Sequence, residues 1–176
     1  MSMNLFQMTK PATRCYVLSI WIGIISGFVS ALVKSGTEGI FPPRLVTEGA
    51  PPVLLLQNIG IDVTHWFYTY SEQIVYFGGN LVHIIFSIVW GVIYCFAAEI
   101  FPKIKMAQGL VFGLVVAILF HGIAMPVLGI STPVWDLRLQ EIFSEVFGTA
   151  LWIWIIEIMR RDLRNRFTKK ADPEFQ

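Results

Sequence analysis

Charge is scarce in this chain. Of its 176 residues only 14% are Asp, Glu, Lys or Arg, against 55% hydrophobic, and the mean hydropathy is +0.65. A soluble domain of this size carries more charge to cover its surface. Catalytic signatures are missing as well: there is no GxSxG, HExxH or CxxC, and no glycine-rich phosphate loop. That leaves nucleophilic, nucleotide and dithiol chemistry without the residues it needs. No A-x-A cleavage site follows the first apolar run, which is longer than the roughly 7–15 residues of a signal-peptide core, so we read it as an uncleaved span.

What is present is long and apolar. Four blocks, at about 15–37, 74–100, 106–129 and 139–159, each approach the roughly 20 residues that cross a bilayer as a helix. The fold class expected is an all-α membrane protein, one domain over 1–176, built as a four-transmembrane-helix bundle. Its basic residues set an orientation. Lys10, Arg14, Lys103, Lys105, Arg160, Arg161, Arg164, Arg166, Lys169 and Lys170 fall on one side of such a bundle, and only Lys34, Arg44 and Arg138 on the other. The positive-inside rule then predicts N-in and C-in, with a long first periplasmic loop at about 38–73 and a basic cytoplasmic tail at 160–176. The tail reads as a stop-transfer anchor and not as a nucleic-acid site. Cys15 and Cys95 fall near the cytoplasmic ends of their helices, where a disulfide is disfavoured, and are read as small buried hydrophobes.

The short connection AEIFPKIKMAQG predicts a tight hairpin between the second and third blocks, with Pro102 ending the second helix. Glu99 with Lys103, and Glu157 with Arg161, are spaced as i,i+4 pairs at helix ends. In the long loop the double prolines of FPPR and TEGAPP argue against regular helix. The aromatic run THWFYTYSEQ suits either a segment lying in the membrane interface or a loop folded over the bundle mouth. His65 within it is expected at the surface.

The 3.6-residue period gives each block one small or polar stripe. These are Ser19, Gly23, Gly27, Ser30, Lys34 and Glu38; Asn80, His83, Ser87, Gly91 and Tyr94; Gly109, Gly113, Ala117 and His121; and Glu141, Glu145, Gly148 or Thr149, and Trp152. Glycines four apart let membrane helices approach closely. At about 1.5 Å per residue, Lys34, His83, His121 and Glu145 share a depth within roughly 15 Å of the outer end, with Glu38 and Glu141 slightly above. Ionisable groups are costly in a membrane unless paired or hydrated, so four helices offering them at one level predicts mutual contact. Two readings stay open. In one the cluster is packing glue and Lys34 with Glu38 neutralises a helix end. In the other it is a titratable pocket facing the periplasm, with Asn80 and Arg44 as supporting polar groups. His83, His121 and Glu145 come from three helices with no local metal-binding spacing, so no metal and no cofactor is assigned.

Three segments carry a family resemblance: VKSGTE with PPR (Lys34 to Arg44), HIIFSIV through AEIFPKIK with QGL (His83 to Leu110), and SEVFG through IEIMRRDLRNR (Ser144 to Arg166). In order and spacing they resemble the YagU-like family of bacterial multi-pass inner-membrane proteins. The resemblance implies an inner-membrane protein with no assigned reaction and a link to acid tolerance. It carries over no functional residue. The expectation is a non-enzymatic protein whose surroundings are the lipid bilayer and whose cluster takes up protons. The alternatives are a small transporter or channel subunit for protons or a polar solute, which would need a homo-oligomer to enclose volume, and a structural or lipid-barrier envelope protein.

Overall fold

The computed structural model describes residues 6–44, 48–70, 73–170 and 172. Four helices are long and apolar enough to span a membrane: Tyr16–Ile40, Phe77–Ile100, Pro102–Val127 and Leu139–Thr168. They are called the first to fourth spans, and the end carrying their two long connections is called the outer end. The seven-residue core cluster of Ile22, Tyr94, Cys95, Val116, Trp152, Ile153 and Ile156 draws on all four spans.

Close approach depends on the expected glycines. A Cβ on Gly23 would lie 2.5 Å from the Val92 Cα, one on Gly27 would lie 2.6 Å from the Ser87 carbonyl, and one on Gly91 would lie 2.5 Å from the Gly23 carbonyl. The first two spans therefore touch backbone to backbone, the geometry that small residues permit in membranes. Gly109 and Gly113 play the same part for the third span, against Tyr94 and Ile153. Gly109 is needed twice over, since its φ of +83° lies in the left-handed region after Ala107 and Gln108 have turned the chain.

The third span is less regular than its hydropathy suggests. A 3-10 stretch, Pro102–Gly109, leads into α-helix at Leu110–Ala117 and then a π-helical segment, Ile118–Ala124. Pro126 follows within the same span and has no N–H to donate to the preceding turn, so the ladder resets there. Contacts between the third and fourth spans concentrate on Leu110–Ala117, and no residue of the π segment is buried. The two spans part toward the outer end.

The first outer connection corrects two expectations. The second double proline begins a helix, Pro51–Asn58, because proline is tolerated at the first positions, where its missing N–H has no partner to lose. The aromatic run forms a two-stranded antiparallel hairpin, Phe67–Tyr70 with Gln73–Tyr76, so the protein is mostly and not wholly helical. β-Branched and aromatic residues favour that pairing. The loop helix folds over the bundle, with Val53 buried against Gly79, whereas Trp66 and Phe67 of the hairpin region stay exposed. His65 lies at the surface beside Asp62.

At the opposite end the fourth span continues to Thr168 and carries a buried ion network. Arg160 donates to both Glu157 oxygens, at 2.6 and 2.9 Å, and to Asp172 at 3.0 Å. Tyr94 Oη donates to Glu157 at 2.9 Å, and Lys105 to Asp172 at 2.7 Å. Arg164 binds Glu99 and the Thr13 carbonyl, and Glu99 in turn accepts from the Cys15 amide at 2.9 Å. The expected pairs Glu99–Lys103 and Glu157–Arg161 are replaced by Glu99–Arg164 and Glu157–Arg160. The reason is that Arg160 and Arg164 continue the inward stripe of Trp152 and Ile156, whereas Arg161 turns outward. Cys95 is buried as expected and Cys15 only partly so.

Candidate functional site

The first span brings Lys34 to the bundle interior because Ser26, Ser30 and Lys34 continue one buried stripe. Its side chain is 9% exposed, and the ammonium does not reach outward to solvent. Instead it donates to Glu38 at 2.6 Å and lies 3.6 Å from Glu145 of the fourth span. Glu145 Oε2 is also 3.2 Å from His121 Nδ1, in the π segment of the third span. Neither neighbour is aligned for a hydrogen bond, and this buried carboxylate oxygen has no hydrogen-bond partner.

His83, from the second span, hydrogen-bonds the Ala31 carbonyl through one ring nitrogen, while its Nε2 is buried without a partner. Thr149 Oγ1 is in the same condition. Both line an inner cavity of about 160 Å³ together with Lys34, His121 and Trp152, under the prolines of the loop helix. At roughly 30 Å³ per water the cavity has room for about five, and its orphaned polar atoms provide places for them. It closes at Val116, Phe86 and Trp152, where the indole donates to Ser87 at 3.1 Å. Beyond lie Tyr94, Ile153 and Ile156, all fully buried.

A second cavity of about 740 Å³ lies between the third and fourth spans and the outer connections. His121 lines both cavities, and Glu145, Glu141 and Arg44 line the larger. His121 thus stands between the large cavity, which Glu145 also lines, and the inner cavity lined by Lys34 and His83.

The structure therefore brings Lys34, Glu38, His83, His121 and Glu145 together. Glu141 sits higher, pairing with Arg138, which caps the fourth span and also lies 3.3 Å from Glu48. Arg44 stands at the mouth of the large cavity, close enough to act electrostatically on Lys34, Glu38 and His121. Asn80 is not in the cluster; its side chain donates to Tyr68 Oη of the hairpin at 2.8 Å. Around the two histidines stand the carboxyl groups of Glu38, Glu48, Glu141 and Glu145 and the basic groups of Lys34, Arg44 and Arg138.

Sequence reasoning missed the Glu48–Arg138–Glu141 triad, since Glu48 belongs to a loop with no period to read. Thr149 was legible on the stripe, but its orphaned hydroxyl follows from the inner cavity it lines, which no sequence period shows. Among the described residues, no group of three His, Cys, Asp or Glu is placed to hold a metal ion.

The family described as "Protein of unknown function (DUF1440)" matches residues 28–158 of the chain. Over 198 aligned positions the chain is 40% identical to the inner membrane protein YagU of Escherichia coli strain K12, covering 98% of this chain and 97% of that protein. No solved structure matches the chain significantly.

Proposed function

The chain belongs to the DUF1440 family, and on that premise we propose that it is a multi-pass inner-membrane protein, N-in and C-in, that supports survival at low pH without acting as an enzyme. Its means is the titratable cluster at the outer, periplasmic end. The observation that carries this reading is Glu145 Oε2: a buried carboxylate oxygen without a hydrogen bond, between His121 and Lys34, where two cavities meet. Acidification outside supplies a proton to the cluster. Protonated His121 completes a charge-assisted bond to Glu145, a kind that contributes about 1.5–3 kcal/mol. Histidine suits this because its ordinary pKa, about 6.5, lies within environmental swings. The groups facing it are Lys34 and Glu38 of the first span, His83 of the second, Glu141 and Glu145 of the fourth, and Arg44, Glu48 and Arg138 of the connections.

A transporter or channel subunit is the second reading, and the closure of the inner cavity at Val116 and Trp152 favours a proton-binding site over a conduit. A strain lacking the gene tests the proposal: survival in acid should fall while growth and envelope integrity at neutral pH are kept, and the intact gene should restore it. Unchanged acid survival would remove the reading. Leakage at neutral pH would favour a structural or lipid-barrier role.

A further inference from the structure

The large cavity is amphipathic in a way that proton uptake does not require. Its floor and mouth carry His121, Glu145, Glu141, Glu48 and Arg44, but its flank between the third and fourth spans is made by Leu114, Ile118 and Val146. These three are 53%, 54% and 48% exposed, so the flank opens sideways, toward lipid in a membrane-spanning bundle. The opening is built into the fold: the π segment carries the third span away from the fourth just where Ile118 lies. A volume of about 740 Å³ falls within the range of small-ligand sites, which combine apolar walls with a few polar groups.

Arg44 supplies the second observation. It is half-buried at the cavity mouth and makes no hydrogen bond or ion pair with any described residue, although Glu38 and Glu141 feel its charge from farther away, while Arg138 nearby pairs with Glu48 and Glu141 through one guanidinium nitrogen. A guanidinium without a hydrogen bond or ion pair among the described residues, set beside carboxylates and an apolar cleft, is matched by a zwitterionic headgroup on a hydrocarbon chain, since arginine binds phosphate through paired N–H donors and Glu48 and Glu141 can face the amine. We propose that the cleft binds one phospholipid from the leaflet at the outer end, with its phosphate on Arg44 and one acyl chain along Leu114, Ile118 and Val146. This inference does not rest on the acid-tolerance reading, and either can fail without the other.

The test uses the full chain in phosphatidylethanolamine–phosphatidylglycerol vesicles. The probe is a trace of phosphatidylethanolamine with a photoactivatable diazirine in one acyl chain, and attachment sites are mapped by mass spectrometry. Labelling should concentrate on Leu114, Ile118 and Val146 over Val115 and Leu119, which are similarly exposed on the third span. Arg44→Gln should lower that labelling roughly tenfold, the loss of one charge-assisted hydrogen bond, and Arg44→Lys should retain part of it. Ile118→Trp, which fills the cleft without touching Arg44, should abolish labelling at Val146 while helical content is unchanged. Parallel arms with the same chain on phosphatidylglycerol and as a free fatty acid separate phosphate recognition from carboxylate recognition. Even labelling of all five residues, labelling unaffected by Arg44→Gln, or stronger labelling by the fatty acid would overturn the proposal.

Discussion

Arg160 is heavily engaged at the inner end, and its removal should be costly. It is 2% exposed, makes two hydrogen bonds to Glu157, and reaches Asp172 as well. Arg160→Met keeps the apolar stem but leaves Glu157 with only the Tyr94 hydroxyl, and leaves Asp172 to Lys105 and Arg164. Breaking a buried ion pair from one side costs about 3–5 kcal/mol, because the remaining charge stays in a poorly solvated site. That is a large part of a typical total of about 5–15 kcal/mol. Adding Glu157→Gln removes the stranded charge while retaining an acceptor for Tyr94, so the double variant should regain most of the loss. The assay is unfolding in mixed micelles with increasing dodecyl sulfate, followed by circular dichroism. A single-variant loss under about 1 kcal/mol, the range of exposed pairs, would refute the reasoning, as would a double variant no better than the single. The same network has a pH signature. Burial alone would raise the Asp172 carboxyl, but hydrogen bonds and charge from Arg160 and Lys105 outweigh it and hold it below the usual carboxylate range. A depressed folded-state pKa means stability that is present above the unfolded value, about 3.9, and lost as pH falls through the folded one. Asp172→Asn should therefore be less stable than the parent at neutral pH and converge with it in strong acid.

Two further outcomes follow from packing and charge. Gly109→Leu should destabilise by at least the ~1–3 kcal/mol of overpacking, since a Cβ there meets Tyr94 Oη at 2.8 Å and the φ of +83° adds strain; Val115→Leu, on an exposed face, should change little in the same unfolding assay. Reporter fusions after Gln176 and near Gly49 should report opposite compartments, the first cytoplasmic; a periplasmic C-terminus would overturn the assignment of the cluster to the outer face.

The spans and their inward stripes were legible because one period governs them. Ser30, Lys34, Ser87, Gly91, Gly113, Thr149 and Trp152 each sit where a 3.6-residue repeat puts an interior residue. The polar level at Lys34, His83, His121 and Glu145 followed from counting rise. The inner ion network was legible in part: extending the fourth stripe past Ile156 reaches Arg160 and Arg164, and reading those arginines only as topology signals hid their burial. Other features lay beyond local pattern. The helix at Pro51 depends on proline occupying first-turn positions rather than interior ones. The π segment depends on how the third span accommodates Pro126. The pairing of Glu48 with Arg138 joins two loops 90 residues apart, for which neither loop carries a signal.

Under the proposed function, protons arriving from the periplasm are taken up at the histidines of the outer cluster, and this uptake protects the cell. Glutamine in place of histidine keeps hydrogen-bonding capacity and removes titration. The direct measurement is acid survival of the gene-deleted strain carrying the His83→Gln, His121→Gln double variant, with protein level and membrane insertion matched to the parent. This strain should grow normally at neutral pH yet survive acid no better than the strain without the gene. Full acid survival at equal protein level would contradict it and leave the cluster as packing between four helices.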